Sequence, residues 1–407
     1  MAMRRVLKAV LLTVLGLLGL VVLVAAAWFL SNVRDAEPKP WPQALTVAPA
    51  LPGDDNLLIP FEAVRGSRNS LPWELKDCGA QGDCREALDK QVIAWERWKA
   101  AAADLVKTCE QLPPAADLRL RERLPERPQD PLPTYSLVLG CHTHWLMVGE
   151  QAQRRGDGAA ALDALQRADA IARTVSEQTR LLIGYLVSQG MTRRQLLLVR
   201  EWARRDPDRA GDWLPLVRWD EAVWKRGLAR WVPTEAQFGR GVMVDLAAQT
   251  CSATAPTDGW WGRLTCPIAS RTLQSEYAQQ QAATYWMSVM DQARQHPLDE
   301  LPAHGAVAEP GWRWFHTLPT VLWSIAQPAF DQYLERTADL ALATQATALW
   351  IEVHTMPVAD RPAWLKQRTR GELAARLTIT PEGEWVLRPW RPQDVTELPL
   401  RWPAIRS

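Results

Sequence analysis

The sequence predicts a mostly α protein with an N-terminal transmembrane helix, a helical-bundle-like periplasmic body and a small C-terminal β-hairpin. Three observations carry that reading. A long apolar run lies near the N-terminus, apolar residues then recur at steps of three and four through most of the 407 residues, and two short strand-like segments flank a turn near the C-terminal end. With 47% of its residues hydrophobic, the chain can fill a sizeable interior and falls outside the composition of disordered proteins.

Arg4, Arg5 and Lys8 precede a run from Ala9 to Leu30 that is apolar except for Thr13, Gly16 and Gly19. At about 1.5 Å rise per residue, such a run crosses a hydrocarbon core of roughly 30 Å. Cations before it and mixed charges after it (Arg34, Asp35, Glu37, Lys39) predict a cytoplasmic tip at 1–8, an inner-membrane anchor at 9–30 and a translocated remainder. The alternative is secretion after signal-peptide cleavage near Ala27, where Ala25, Ala26 and Ala27 supply small residues. Signal-peptide cores are usually about 7–15 residues, shorter than this run. The formal charge of +1, from 47 Lys+Arg and 46 Asp+Glu, therefore joins two compartments: without Arg4, Arg5 and Lys8 the exported part carries −2. Such a body lacks the positive field that gathers phosphates, so no nucleic-acid partner is expected.

Residues 31–72 are rich in proline and low in periodicity, as expected of a spacer above the membrane. An all-α domain is expected over 73–376, with a sub-boundary near 250–267. Its helices read at about Arg85–Gln111, Thr134–Arg155 and Ala159–Gln189, the second stopped by Gly156-Asp157-Gly158 and the third broken by Gly190. Further helices read at 192–205, 208–231, 234–249, 268–295, 318–355 (with Pro328 as a kink) and 361–375. Gly158 to Arg173 looks like half of a tetratricopeptide unit, yet no second copy follows at its period. In 377–407, Leu377–Thr380 and Trp385–Arg388 flank Pro381-Glu382-Gly383-Glu384 and read as a hairpin. A lone hairpin needs further partners to be stable in water.

Six cysteines in an exported chain favour disulfides. Cys78 and Cys84 close a short polar loop holding Gly79 and Gly82, and Cys251 and Cys266 bracket another around Pro256 and Gly259. Cys109 continues the stripe Trp95, Trp98, Ala102, Leu105, while Cys141 lies on the stripe Val138, Trp145, Val148. The expected pairs are Cys78–Cys84, Cys109–Cys141 and Cys251–Cys266.

The zincin, nucleophile-elbow, Ser-x-x-Lys and phosphate-loop motifs are absent, and Gly239-Arg240-Gly241 is no dinucleotide fingerprint. No cofactor and no metal is expected. His142 and His144, two apart on a helix, point about 200° from each other and read as structural. The 22 Trp against 5 Tyr and 5 Phe are the stronger signal. Only 8 of the 47 cations are Lys, the codon bias of a GC-rich genome, so most Trp are expected in core positions that Phe and Tyr fill elsewhere, including Trp224 and Trp231 on one helical stripe. Trp260, Trp261, Trp312 and Trp314 lie in loop-like sequence and are the candidate binding residues, able to stack on sugar rings, anchor an interface or dip into the membrane surface.

Leu318 to Leu340, through Ala326-Gln327-Pro328 and Tyr333 to Leu340, resembles a segment of uncharacterised membrane-anchored helical periplasmic proteins of Gram-negative bacteria. The resemblance spans about a fifth of the chain and implies an envelope location; it brings no activity or catalytic residue with it. Two functional classes are expected, beside a third possibility, a folding or stability accessory that acts by occupying a membrane complex. The first is binding or scaffolding of another cell-envelope component, protein or glycan. The second is an enzyme acting on a cell-wall or lipid-linked substrate, with acids such as Asp258, Asp299, Glu300 and Glu309 near the tryptophan loops.

Overall fold

The computed structural model describes residues 2–47, 57–62, 64, 71–75, 78, 84–122, 124, 133–249, 274–304, 317–391 and 398–404. Their main helices are α1 (Ala2–Asn32), α2 (Arg85–Ala101), α3 (Ala103–Glu110), α4 (Tyr135–Arg154), α5 (Gly158–Gln178), α6 (Leu182–Arg205), α7 (Glu221–Gln249), α8 (Ser275–Gln295), α9 (Thr317–His354), α10 (Arg361–Arg368) and α11 (Gly371–Arg376). Three short strands, β1 (Leu377–Ile379), β2 (Trp385–Leu387) and β3 (Arg401–Trp402), complete the fold. The expected sub-boundary at 250–267 lies outside the described residues. The chain divides into two units, each made of separate stretches of sequence: Met1–Thr46, Ala236–Ser288 and Val307–Ala329 form one, and Val47–Glu235, Val289–Ala306 and Phe330–Ser407 the other.

In the smaller unit, the stretch after α1 is not a free spacer. The side-chain amide of Gln274 donates to the carbonyls of Asn32 and Arg34 at 2.7 and 3.2 Å. Asp35 accepts from the backbone amides of Glu276 and Tyr277, both at 3.0 Å, and so supplies the negative charge that the first turn of α8 favours. Arg240 donates to Gln279 at 2.7 Å and lies over the ring of Trp41. The spacer reading also fails in the larger unit, where Leu57, Leu58 and Phe61 are buried and the Leu57 amide bonds the Arg119 carbonyl. Proline content hid a stretch in which Leu45, Leu57, Leu58, Phe61 and Leu71 are buried.

The larger unit is organised on α4, α5 and α6. Gly156 has φ +76, the left-handed turn that ends α4, and Asp157 then caps α5 by accepting from the Ala160 amide at 3.1 Å. The break expected at Gly190 does not occur, and α6 runs straight through it. Helix breaks come earlier, at Thr179. Its hydroxyl donates to Glu122 at 2.6 Å, and the Arg180 amide bonds the other Glu122 oxygen, so the backbone is drawn out of the helical path. The helix expected from 208 starts only at Glu221, after single turns around Pro207 and Pro215, with Asp220 accepting from the Val223 amide; it then continues through Pro233. The helix expected over 85–111 is divided at Ala102, whose amide still bonds the Trp98 carbonyl at 2.8 Å.

α4 is buried on nearly every face, which marks it as the central helix. Near its end sits Glu150, whose side chain is fully out of water. It accepts from Arg154 at 2.6 Å, from Arg205 at 2.6 and 3.0 Å, and from the Trp202 indole at 2.6 Å. Gly149 beside it has no room for a side chain, since a Cβ there would stand 2.9 Å from the Trp202 ring. Most tryptophans with described side chains are core residues: Trp95, Trp98, Trp202, Trp213, Trp224, Trp231 and Trp350 are all buried.

Cys109 and Cys141 are bonded, with their Cα atoms 5.3 Å apart, and tie α3 to α4. Cys78 and Cys84 are not joined. Both are buried thiols, and Arg200 donates to the Cys84 sulfur at 3.0 Å and to the Cys78 carbonyl at 3.1 Å, so the sulfur expected to bond Cys78 is engaged by a guanidinium. Cys251 and Cys266 lie outside the described residues. The C-terminal hairpin forms with Leu377 opposite Leu387 and Ile379 opposite Trp385. It gains a third antiparallel strand, since Trp385 pairs with Trp402 and Val386 with Arg401. The separation of 32 residues between Cys109 and Cys141 sets a prediction. Replacing both by alanine is expected to lower the unfolding free energy of the detergent-solubilised chain by about 4 kcal/mol, read from urea midpoints.

Candidate functional site

Trp260, Trp261, Trp312 and Trp314 all lie outside the described residues, as do Asp258 and Glu309. Asp299 has a structural place: it is buried, its carboxylate accepts from Gln345 at 3.3 Å, and its carbonyl accepts from the Trp390 indole at 3.2 Å. Burial raises its pKa against that hydrogen bond. Glu300 comes close to Gly371, whose φ of +55 and nearness to the Glu300 carboxylate (3.0 Å from a Cβ built there) both resist a side chain. Two concave places elsewhere in the larger unit hold more chemistry.

The first is a polar pocket whose wall is one face of α5, with Asp169, Arg173 and Ser176 on successive turns. Thr192, Arg218, Asp220, Trp219, Trp224 and Thr344 complete it. Gln195 donates to Asp169 at 3.1 Å, Arg173 donates to Asp220 at 2.6 Å, and the buried Ser176 hydroxyl has no hydrogen-bond partner among the described residues. The Trp219 and Trp224 rings stack 5.3 Å apart. Burial pushes the Asp169 carboxyl up. Burial acts upward on Asp220 as well, but the hydrogen bonds from Arg173 and the Val223 amide outweigh it and the net shift is downward. A carboxyl raised beside a carboxylate lowered is the pattern of an acid and a base. The room beside them is about 30 Å³, enough for two or three waters and no more.

The second place is an open groove of about 270 Å³ where α4 and α5 meet the loop after α3. Pro113 and Pro114 form a lip, Cys109, Leu118 and Ile171 line it below, and Trp145, Asp163, Gln166 and Arg167 supply its recognition chemistry. The Arg167 guanidinium lies 4.7 Å from the Trp145 ring centre and bonds Asp163 at 3.0 Å. The disulfide holds the end of α3 against α4, and so fixes the lip relative to the tryptophan. An indole flanked by planar polar groups suits a ligand with both an apolar face and hydrogen-bonding edges. Sequence phasing placed Trp145 on a core stripe with Val138 and Cys141. Those two are buried, whereas Trp145 and Val148 are half-buried, because α4 meets neighbours almost all round and only this narrow side stays open.

No family model, no curated protein and no solved structure matches the chain.

His142 and His144 are both buried and face different neighbours. His144 accepts from the Trp95 indole at 3.2 Å and lies among Trp95, Trp98 and Trp145, whereas His142 is near Arg194. Among the described residues, no group of three or more His, Cys, Asp and Glu side chains is placed to hold a metal. Burial, with the Arg194 charge, holds His142 at about 3, and burial, with the Lys99 charge, holds His144 at about 4. Unfolding returns both towards their ordinary 6.5, so between these limits the unfolded chain binds more protons. Their stabilising effect is complete above pH 6.5 and is lost as pH falls towards 4 and 3. Between the ordinary histidine pKa and a pH near 5, each histidine is expected to cost about 2 kcal/mol of stability. His142→Gln should flatten that pH dependence in urea titrations by half.

Proposed function

We propose that the chain is a single-pass inner-membrane protein, N-terminus in the cytoplasm, whose helical body stands in the periplasm and binds or scaffolds another cell-envelope component. The observation behind this reading is the segment Thr13–Asn32, with a mean hydropathy of 2.5 and none of its best window buried. Leu18, Leu20, Val21 and Leu23 are each more than half exposed, a cost that lipid removes and water does not. The Cys109–Cys141 bond supports an oxidising compartment for the body, and the resemblance of 318–340 to anchored envelope proteins agrees with it. The groove at Trp145 is the proposed ligand site, with a protein or glycan as its occupant.

The alternative of an enzyme on a cell-wall or lipid-linked substrate draws on the opposed shifts of Asp169 and Asp220. The room beside them, about 30 Å³, favours the binding reading. A reporter enzyme active only after export, fused at the C-terminus, is expected to be active, with the intact chain resisting alkaline extraction from membranes. Soluble protein beginning at Trp28 would overturn the anchor. A photo-crosslinking residue at Gln166 is expected to capture an envelope component, with yield falling at least about tenfold in Trp145→Ala, the loss typical of an aromatic anchor. Equal yields would remove the groove from the reading.

A further inference from the structure

α10 differs from the rest of the larger unit. Among its eight residues none is buried, although they include Trp364 and Leu365. Val358, two residues before its Asp360 cap, is 57% exposed. From Arg361 to Arg370 the sequence Arg-Pro-Ala-Trp-Leu-Lys-Gln-Arg-Thr-Arg holds Arg361, Lys366, Arg368 and Arg370 and no carboxylate.

Several surface arginines elsewhere are neutralised by neighbours, among them Arg154 by Asp89 at 2.7 Å, Arg173 by Asp220 at 2.6 Å, Arg226 by Glu177 at 2.7 Å and Arg294 by Asp291 at 3.0 Å. Among the described residues, none of the four cations of this stretch forms an ion pair. Arg361 donates to the Met356 carbonyl at 3.2 Å, Arg370 to the Gln367 carbonyl at 3.0 Å, and Arg368 lies 5.5 Å from the Trp364 ring centre. Of the nearby acids, Glu372 is held by Arg376 at 2.6 Å, which leaves Asp360 and the Glu300 carboxylate beside Gly371 against four cations. Four cations without an ion pair thus fall within the ten residues 361–370, on α10 and just after it.

We infer that the surface of residues 357–370 is a second membrane contact that binds the headgroups of anionic lipids. Charge complementarity selects an anionic surface, and the half-exposed Trp364 and Leu365 with the exposed Val358 select one that also accepts apolar side chains. A soluble polyanion satisfies the first requirement alone. Tryptophan beside Lys and Arg is the composition that settles at the boundary between headgroups and acyl chains. A single crossing helix tethers a body near the bilayer without fixing which surface faces it, and a lipid-binding helix supplies that orientation. This inference rests on the anchor proposed above.

The test uses the full chain in nanodiscs of phosphatidylcholine, with or without phosphatidylglycerol, and follows hydrogen–deuterium exchange of the 357–370 amides. Exchange there is expected to slow by about tenfold in the anionic discs, to recover in high salt, and to be unslowed in Lys366→Glu/Arg368→Glu/Arg370→Glu. Unchanged exchange in α5 of the variant excludes unfolding as the reason. Equal exchange of the wild-type segment in the two lipids overturns the proposal. So does protection by heparin or poly-glutamate in zwitterionic discs without protection by phosphatidylglycerol, since the ligand would then be a soluble polyanion. Failure of the chain to elute with either disc overturns the anchor, and the inference with it, and is distinguishable from incorporation without protection.

Discussion

The larger unit depends on one carboxylate kept away from water. A lone ionised acid in an apolar interior costs several kcal/mol, so Glu150 can be buried only because two guanidiniums and an indole N–H converge on it. Each donor comes with a constraint. Arg154 lies one turn along on α4, which fixes its direction. Arg205 and Trp202 belong to α6, so their bonds set the register of α6 on α4. The indole reaches the carboxylate only because residue 149 has no side chain. α5 packs against both helices, and its start is fixed by the turn at Gly156 and the Asp157 cap that follow α4. Position and charge are thus solved together.

How much of this was legible in the sequence depended on the range of the interactions. The apolar run of α1, the Gly156-Asp157-Gly158 stop and the hairpin around Gly383 are encoded by neighbouring residues, and each is found where the sequence put it. The Cys109–Cys141 pairing was legible because both cysteines fall on helical stripes that have to face a core. The break after α5 was not. Gly190 is the local signal, but a helix supported on both sides tolerates a glycine. Thr179 yields instead to Glu122, more than fifty residues upstream, and no local pattern announces that bond. The spacer misled for a related reason: proline lowers periodicity whether or not the apolar residues between are buried, and Asp35 reveals its role only beside the start of α8.

The candidate sites show a different limit. Loop position singled out Trp260, Trp261, Trp312 and Trp314, which lie outside the described residues. Periodicity placed Trp145 in the core, since a stripe of three- and four-residue steps cannot tell a helix packed on one side from one packed almost all round. Asp163 and Arg167 look like an ordinary pair one turn apart on an exposed face. Only the fold brings that pair against an indole from α4 and a proline lip. The cations of α10 were visible as letters, but their lack of carboxylate partners is a property of the folded surface.

Residues 401–403 have a consequence for the order of assembly. The Arg401 carbonyl accepts from the buried Arg200 at 2.6 Å, the Pro403 carbonyl accepts from the Trp350 indole at 3.0 Å, and Trp402 is wholly enclosed. Arg200 and Arg401 are 201 residues apart in sequence. A nascent chain that emerges from its N-terminal side therefore carries, until those late residues arrive, an unmatched indole and a guanidinium short of one acceptor, since Arg200 then has the Cys78 carbonyl and the Cys84 sulfur but not the Arg401 carbonyl. Any product that stops short of them keeps these defects permanently, and a protease can distinguish it from the finished protein by its looseness alone.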